Sequence, residues 1–124
     1  MTVYIVEDSE LVSSRLTKMI SEIRGARVVG LARTAADALR FLNTNEVALV
    51  LLDIQMPDGT GVDVLRALKT RAAPPKVIVM TNFANDVARR ECLQSGADYF
   101  LDKSVEFEKV IEIIKDLLGL KIDD

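Results

Sequence analysis

Two stretches of this chain, Val47–Leu52 and Val77–Met80, are apolar at every position. Short continuous apolar runs are how strands buried on both faces of a parallel sheet look. Parallel strands need long crossovers between them, usually helices, and the rest of the sequence supplies that rhythm. Further short apolar runs stand at Val3–Val6, Val28–Ala32 and Tyr99–Leu101. Between the runs lie amphipathic stretches. Val12, Leu16, Met19, Ile20 and Ile23 recur at the spacing of one helix face, as do Phe107, Val110, Ile111, Ile114, Leu117 and Leu118. Weaker helical patterns cover Ala35–Leu42, Val62–Lys69 and Val87–Leu93.

The punctuation agrees. Thr34, Asn85 and Ser104 are placed to cap helix starts, with Thr34-Ala35-Ala36-Asp37 resembling a capping box. Gly25 and Gly96 stand where glycines stop helices. Pro74-Pro75 separates a helix from the strand after it. Five strand–helix units in alternation imply a parallel sheet wound by right-handed crossovers. The expected fold is a single doubly wound (βα)5 α/β domain, its five-stranded parallel sheet covered by helices on both faces.

Composition narrows the chemistry. The chain has 124 residues, one cysteine and no histidine. Its length suits one domain, and 49% apolar with 28% charged residues is ordinary for a globular protein. Without histidine there is no Ser-His or Cys-His catalytic pair and no histidine-ligated zinc. Cys92 alone forms no internal disulfide, which suits a reducing compartment. Sixteen Lys plus Arg against 19 Asp plus Glu leave a net charge of −3, with no general attraction to nucleic acid or anionic membrane. No signal peptide is visible and no apolar run could cross a bilayer. A cytoplasmic protein is expected.

Ligands of such a sheet bind outside the carboxyl ends of its strands. Glu7 and Asp8 follow the first run, Asp53 the third, Thr81 the fourth and Lys103 the fifth. At an effective dielectric of ~20, two like charges ~4 Å apart cost about 4 kcal/mol. A compensating cation is therefore expected, and carboxylate oxygens with few protein ligands favour Mg²⁺. A divalent ion beside an aspartate, a lysine and a hydroxyl is a set of parts for phosphoryl transfer. No glycine-rich P-loop is present to cradle a nucleotide. Asp53 is the candidate nucleophile.

Taken singly, these residues have plainer readings. An acidic pair at a strand end often serves a helix dipole, and Asp53 alone could shape a turn. Thr81 alone reads as a strand-end cap, Lys103 as a solvated lysine and Phe100 as core. Met56, Met80 and Cys92 read as packing, and Arg89-Arg90-Glu91 as a solvated helix face.

Their order carries the resemblance. Glu7-Asp8, then Asp53-Ile54-Gln55-Met56-Pro57-Asp58-Gly59-Thr60-Gly61, then Thr81, then Gly96-Ala97-Asp98-Tyr99-Phe100-Leu101-Asp102-Lys103 resemble the motifs of receiver domains of two-component response regulators. The resemblance spans essentially the whole chain. It implies a flavodoxin-like fold that accepts a phosphoryl group from a histidine kinase or a histidine phosphotransfer protein. By position, Asp53 would be the phosphoacceptor. Asp8, Glu7, Asp53 and the Gln55 backbone carbonyl would hold Mg²⁺. Lys103 would bind the phosphoryl group or, without it, pair with Asp53. Thr81 and Phe100 would be the switch residues, moving the surface of roughly residues 85–118. Such a domain would catalyse its own phosphorylation and the hydrolysis of its aspartyl phosphate.

Three positions depart from the commonest pattern. Glu7 stands where aspartate is more usual, Phe100 has no hydroxyl, and Ser104 follows Lys103 in place of proline. Competing readings are a receiver-like interaction module that is never phosphorylated, and an aspartate-nucleophile phosphatase. The latter usually carries a second aspartate two residues on, where this chain has Gln55. The expectation for the chain is one receiver domain over residues 1–124 with no effector domain, either stand-alone or the start of a longer regulator. The output would then be an effector protein or a further domain. A phosphorylation-dependent dimer through the last helix is compatible with the sequence.

Overall fold

In a computed structural model, residues 1–120 are described, without the side chain of Thr60; the terminal Lys121-Ile122-Asp123-Asp124 lies outside them. Five parallel strands form the sheet: β1 (Thr2–Val6), β2 (Arg27–Ala32), β3 (Leu49–Asp53), β6 (Lys76–Thr81) and β7 (Tyr99–Asp102). Two further strands, β4 (Gln55–Met56) and β5 (Gly59–Thr60), make a short antiparallel ribbon absent from the sequence expectation. The sheet order is β2-β1-β3-β6-β7, so the winding reverses between β1 and β3. That reversal opens a crevice above the carboxyl ends of these two strands. The helices are α1 (Glu10–Ser21), α2 (Ala35–Thr44), α3 (Gly61–Lys69), α4 (Asp86–Gln94) and α5 (Lys109–Leu117).

Strand alternation sorts the core into two layers. Val3, Ile5, Leu49, Leu51, Ile78 and Met80 face Leu16 and Ile20 of α1 and Val110 and Ile114 of α5. The intervening residues Tyr4, Val6, Val50, Leu52, Val77 and Val79 face α2, α3 and α4. The central strand β3 is buried at all its positions, which is why its sequence shows no alternation.

Helix ends follow local chemistry. Thr34 Oγ1 accepts from Asp37 N at 3.1 Å and Asn85 Oδ1 from Ala88 N at 2.9 Å, as their positions suggest. Gly96, with φ +107°, ends α4. There the Gly96 and Ala97 amides donate to the carbonyls of Leu93 and Cys92, closing a Schellman motif. Two expectations need correction. Gly25 does not stop α1, which ends at Ser21; it closes a further turn between the helix and β2. Ser104 caps no helix, because α5 starts only at Lys109 with Glu108 at its cap position; the Ser104 hydroxyl and amide donate to Asp102 Oδ1. No helix among the described residues is long and apolar enough to cross a membrane.

Candidate phosphoryl-transfer site

The crevice at the strand ends holds a buried ammonium between two carboxylates. Glu7 follows β1, Asp53 ends β3 and Lys103 follows β7, each less than 9% exposed. Lys103 Nζ donates to Glu7 Oε1 at 2.6 Å and to Asp53 Oδ2 at 2.9 Å. Burial opposes the Lys103 charge, but hydrogen bonds to Glu7 and Asp53, reinforced by their charges, outweigh it and hold its pKa above the ordinary 10.5. The second oxygen of each carboxylate is also held. Asp53 Oδ1 accepts from Gln55 N and Glu7 Oε2 from Ser9 N, both at 2.9 Å.

The other expected residues stand around this trio. Asp8 is exposed beside it, and its backbone carbonyl accepts from Arg33 at 3.3 Å. Among the described residues, no three Asp, Glu, His or Cys side chains gather closely enough to hold a metal between them. The compensating charge that the clustered carboxylates require comes here from Lys103. Thr81, fully buried at the end of β6, accepts from Phe83 N at 3.0 Å, a bond that uses an oxygen lone pair and not the hydroxyl hydrogen. Its carbonyl accepts from Lys103 N at 2.9 Å, which joins the threonine and lysine strand ends. Phe100 is packed inward at 6% exposure, with the Arg89 guanidinium 5.8 Å from its ring centre. The peptide bond before Ser104 is trans.

The loop after Asp53 is built by close approach. The amide of Gly61 donates to Ile54 O at 2.9 Å, and a Cβ on Gly61 would lie 2.8 Å from Ile54 Cα. Only glycine lets α3 begin so near the strand that carries Asp53. Two polar roles went unread in the sequence. Ser9 caps α1 through Val12 N at 3.2 Å while its own amide holds Glu7; its place three residues before an apolar helix face was a usable signal. Asp58 takes the amides of Ala35 and Ala36 at 2.8 and 3.0 Å, and those two bonds lower its pKa. No sequence pattern announces a contact across that span.

The model of the response regulator receiver domain matches residues 3–115. This chain belongs to the receiver domain family. Response regulator UvrY of Escherichia coli strain K12 is 31% identical over 113 residues, covering 91% of this chain and 52% of that protein. The positive alginate biosynthesis regulatory protein of Pseudomonas aeruginosa is 36% identical over 116 residues, covering 93% of this chain and 46% of its relative. The receiver domain thus spans about half the length of the curated relatives it matches. Its fold is that of the signal receiver domain of a DNA-binding response regulator from Colwellia psychrerythraea, with TM-score 0.87 and 24% identity over 96% of this chain and 98% of that one.

Proposed function

We propose that this receiver domain accepts a phosphoryl group on Asp53 and uses it to bias its partner-binding surface. The observation that carries the reading is the Lys103 ammonium, 2.9 Å from Asp53 Oδ2 in the crevice at the switch point. An Asp53 carboxylate oxygen attacks phosphorus, and the bond from phosphorus to the donor breaks. The donor keeps the electron pair, as a phosphohistidine imidazole or an acetate does. Lys103 offers charge to the transferring oxygens, and the Thr81 hydroxyl hydrogen is available to one of them. Hydrolysis restores the free carboxylate: water attacks phosphorus, the Asp53 oxygen leaves with the electron pair of its bond to phosphorus, and the phosphate departs carrying both hydrogens of that water.

The donor chemistry suits a hard divalent ion, although in this structure the three carboxylates stand apart and Lys103 bridges two of them. Glu7, Asp8 and Asp53 carry three negative charges against one ammonium, and every ligand atom on offer is oxygen. These carboxylates and the Gln55 carbonyl would hold Mg²⁺, which when bound balances the negative oxygens of the phosphoryl group. The phosphodonor would be a histidine kinase or histidine phosphotransfer protein, met by this chain in the cytoplasm. The receiver would be the only domain within residues 1–124, acting on an effector protein, an output domain or a second copy of itself.

Phosphorylation would act by population shift. To move a switch from about 1% to about 99% active, it must favour the active arrangement by about 5.5 kcal/mol. Thr81 and Phe100 would transmit it toward residues 85–118. The direct test is incubation with Mg²⁺ and acetyl phosphate followed by intact mass measurement. The wild type gains one phosphoryl group and Asp53→Asn gains none. A wild type that stays unmodified under these conditions removes the reading and leaves a receiver-like interaction module.

A further inference from the structure

We propose that Asp58 is a positioning residue for this site, tying the loop that carries Gln55 to the first turn of α2. The inference rests on the roles of Asp53 and Gln55 given above. The first amides of a helix have no partners within it. In α2 the Thr34 carbonyl accepts the first bond of the helix, from Ala38 N, and its hydroxyl takes one of the partnerless amides, Asp37 N, both at 3.1 Å. The amides of Ala35 and Ala36 remain, and Asp58 takes both, one on each carboxylate oxygen. A negative group there is also favoured by the helix dipole.

Asp58 lies in the turn between β4 and β5, the ribbon that begins at Gln55. A two-stranded ribbon this short has little stability of its own. Its base is held where Gly61 N meets Ile54 O and Gln55 N meets Asp53 Oδ1. Its tip is held by Asp58 on α2. The base fixes where the ribbon leaves the strand, and the tip fixes how it is oriented, including the Gln55 main chain.

A plain helix cap would make Asp58 equivalent in effect to Thr34, and that contrast supplies the test. Asp58→Ala, Asp58→Asn and Thr34→Ala are compared with wild type in the full chain. Mg²⁺ binding is read from the amide resonances of Asp53 and Gln55, and phosphorylation by acetyl phosphate from intact mass. Loss of a group that supports a metal ligand weakens binding by about 10-fold at the mild end, so Asp58→Ala should weaken Mg²⁺ by that factor, while Thr34→Ala stays within about two-fold of wild type. Phosphorylation of Asp58→Ala should slow by the same factor at limiting Mg²⁺ and recover at saturating Mg²⁺. Asp58→Asn, with one acceptor oxygen and no charge, should fall between; if Asp58→Ala fails to fold, it carries the comparison alone. Mg²⁺ affinity unchanged from wild type, a loss matched by Thr34→Ala, or a rate deficit that saturating Mg²⁺ leaves in place overturns the proposal. A wild type that binds Mg²⁺ but takes no phosphoryl group removes the reading of Asp53 and leaves the titration to decide Asp58. A wild type that binds no Mg²⁺ overturns the Asp58 proposal as well.

Discussion

At the scale of single residues, Lys103 holds the site together. It is the shared cation for two buried carboxylates, so removing it leaves both without a counter-charge in a poorly solvated crevice. Lys103→Met is expected to lower unfolding stability by about 3–5 kcal/mol, the usual cost of breaking a buried ion pair from one side. Urea denaturation in Mg²⁺-free buffer measures it. Added Mg²⁺ should restore more stability to the variant than to wild type if, as proposed, the two freed carboxylates serve as its ligands. An equal response of the two proteins would argue against these carboxylates as the metal site. Lys103 could be placed on the rim from its position just past the fifth apolar run. That it engages Glu7 as well as Asp53 could not be read, since 96 residues separate Glu7 from Lys103.

At the scale of elements, the helices depend on where they stop and what they cover. Gly96 turns the chain out of α4 at φ +107°, and a Cβ there would lie 2.6 Å from Lys69 Cγ. Lys69 has little freedom to yield, because its ammonium holds Asp98 at 2.8 Å and Pro75 O at 3.0 Å. Gly96→Ala should therefore cost about 1–3 kcal/mol from backbone strain alone, seen as a lower Tm. Ile114 is the fully buried anchor of α5 against β1, β3 and β6. Ile114→Ala should cost about 2–5 kcal/mol by loss of transfer energy and the cavity left, measured by denaturant titration. Periodicity announced these helices well, but the start of α5 was misjudged. Ser104 has the chemistry of a cap, yet the cap position falls at Glu108, out of its reach, and its hydroxyl and amide donate to Asp102 Oδ1 instead. Glu106 then takes the Asp102 amide, and the turn so formed delays the helix to Lys109.

At the scale of the whole molecule, ion pairs between distant elements make the stability of the fold depend on pH. Lys103 has its pKa raised in the folded chain, so its contribution is fully present below 10.5 and is lost as pH rises through the higher folded value. The alkaline fall in stability should be steeper in wild type than in Lys103→Met, followed by urea midpoints across that range. Asp98 behaves in the opposite sense. Burial raises its pKa, but the Lys69 hydrogen bond, the Val77 amide and the charges of Lys69 and Lys76 outweigh it and hold it below 3.8. Its contribution is present above 3.8 and is lost as pH falls through the lower folded value. Asp98→Asn should flatten the acid limb of the stability curve; an unchanged limb would show that the pair across α3, β6 and the α4–β7 turn contributes nothing there.

Leu49–Leu52 and Val77–Met80 announced a parallel sheet because burial on both faces removes all polar positions from a strand, a local property that needs no partner to be read; Val47 and Ala48, also apolar, precede the strand, and Ala48 is exposed. The same locality placed Glu7, Asp8, Asp53, Thr81 and Lys103 at strand ends, and hence on one rim. The tertiary structure decided which of them meet. Strand order put Glu7 and Asp53 side by side across the winding reversal, and Lys103 reached both while Asp8 stayed exposed. It also brought Asp58 to a helix start 22 and 23 residues earlier in the chain. Backbone periodicity is written residue by residue, whereas the partner of a buried charge depends on crossovers that bring distant strand ends within hydrogen-bonding distance.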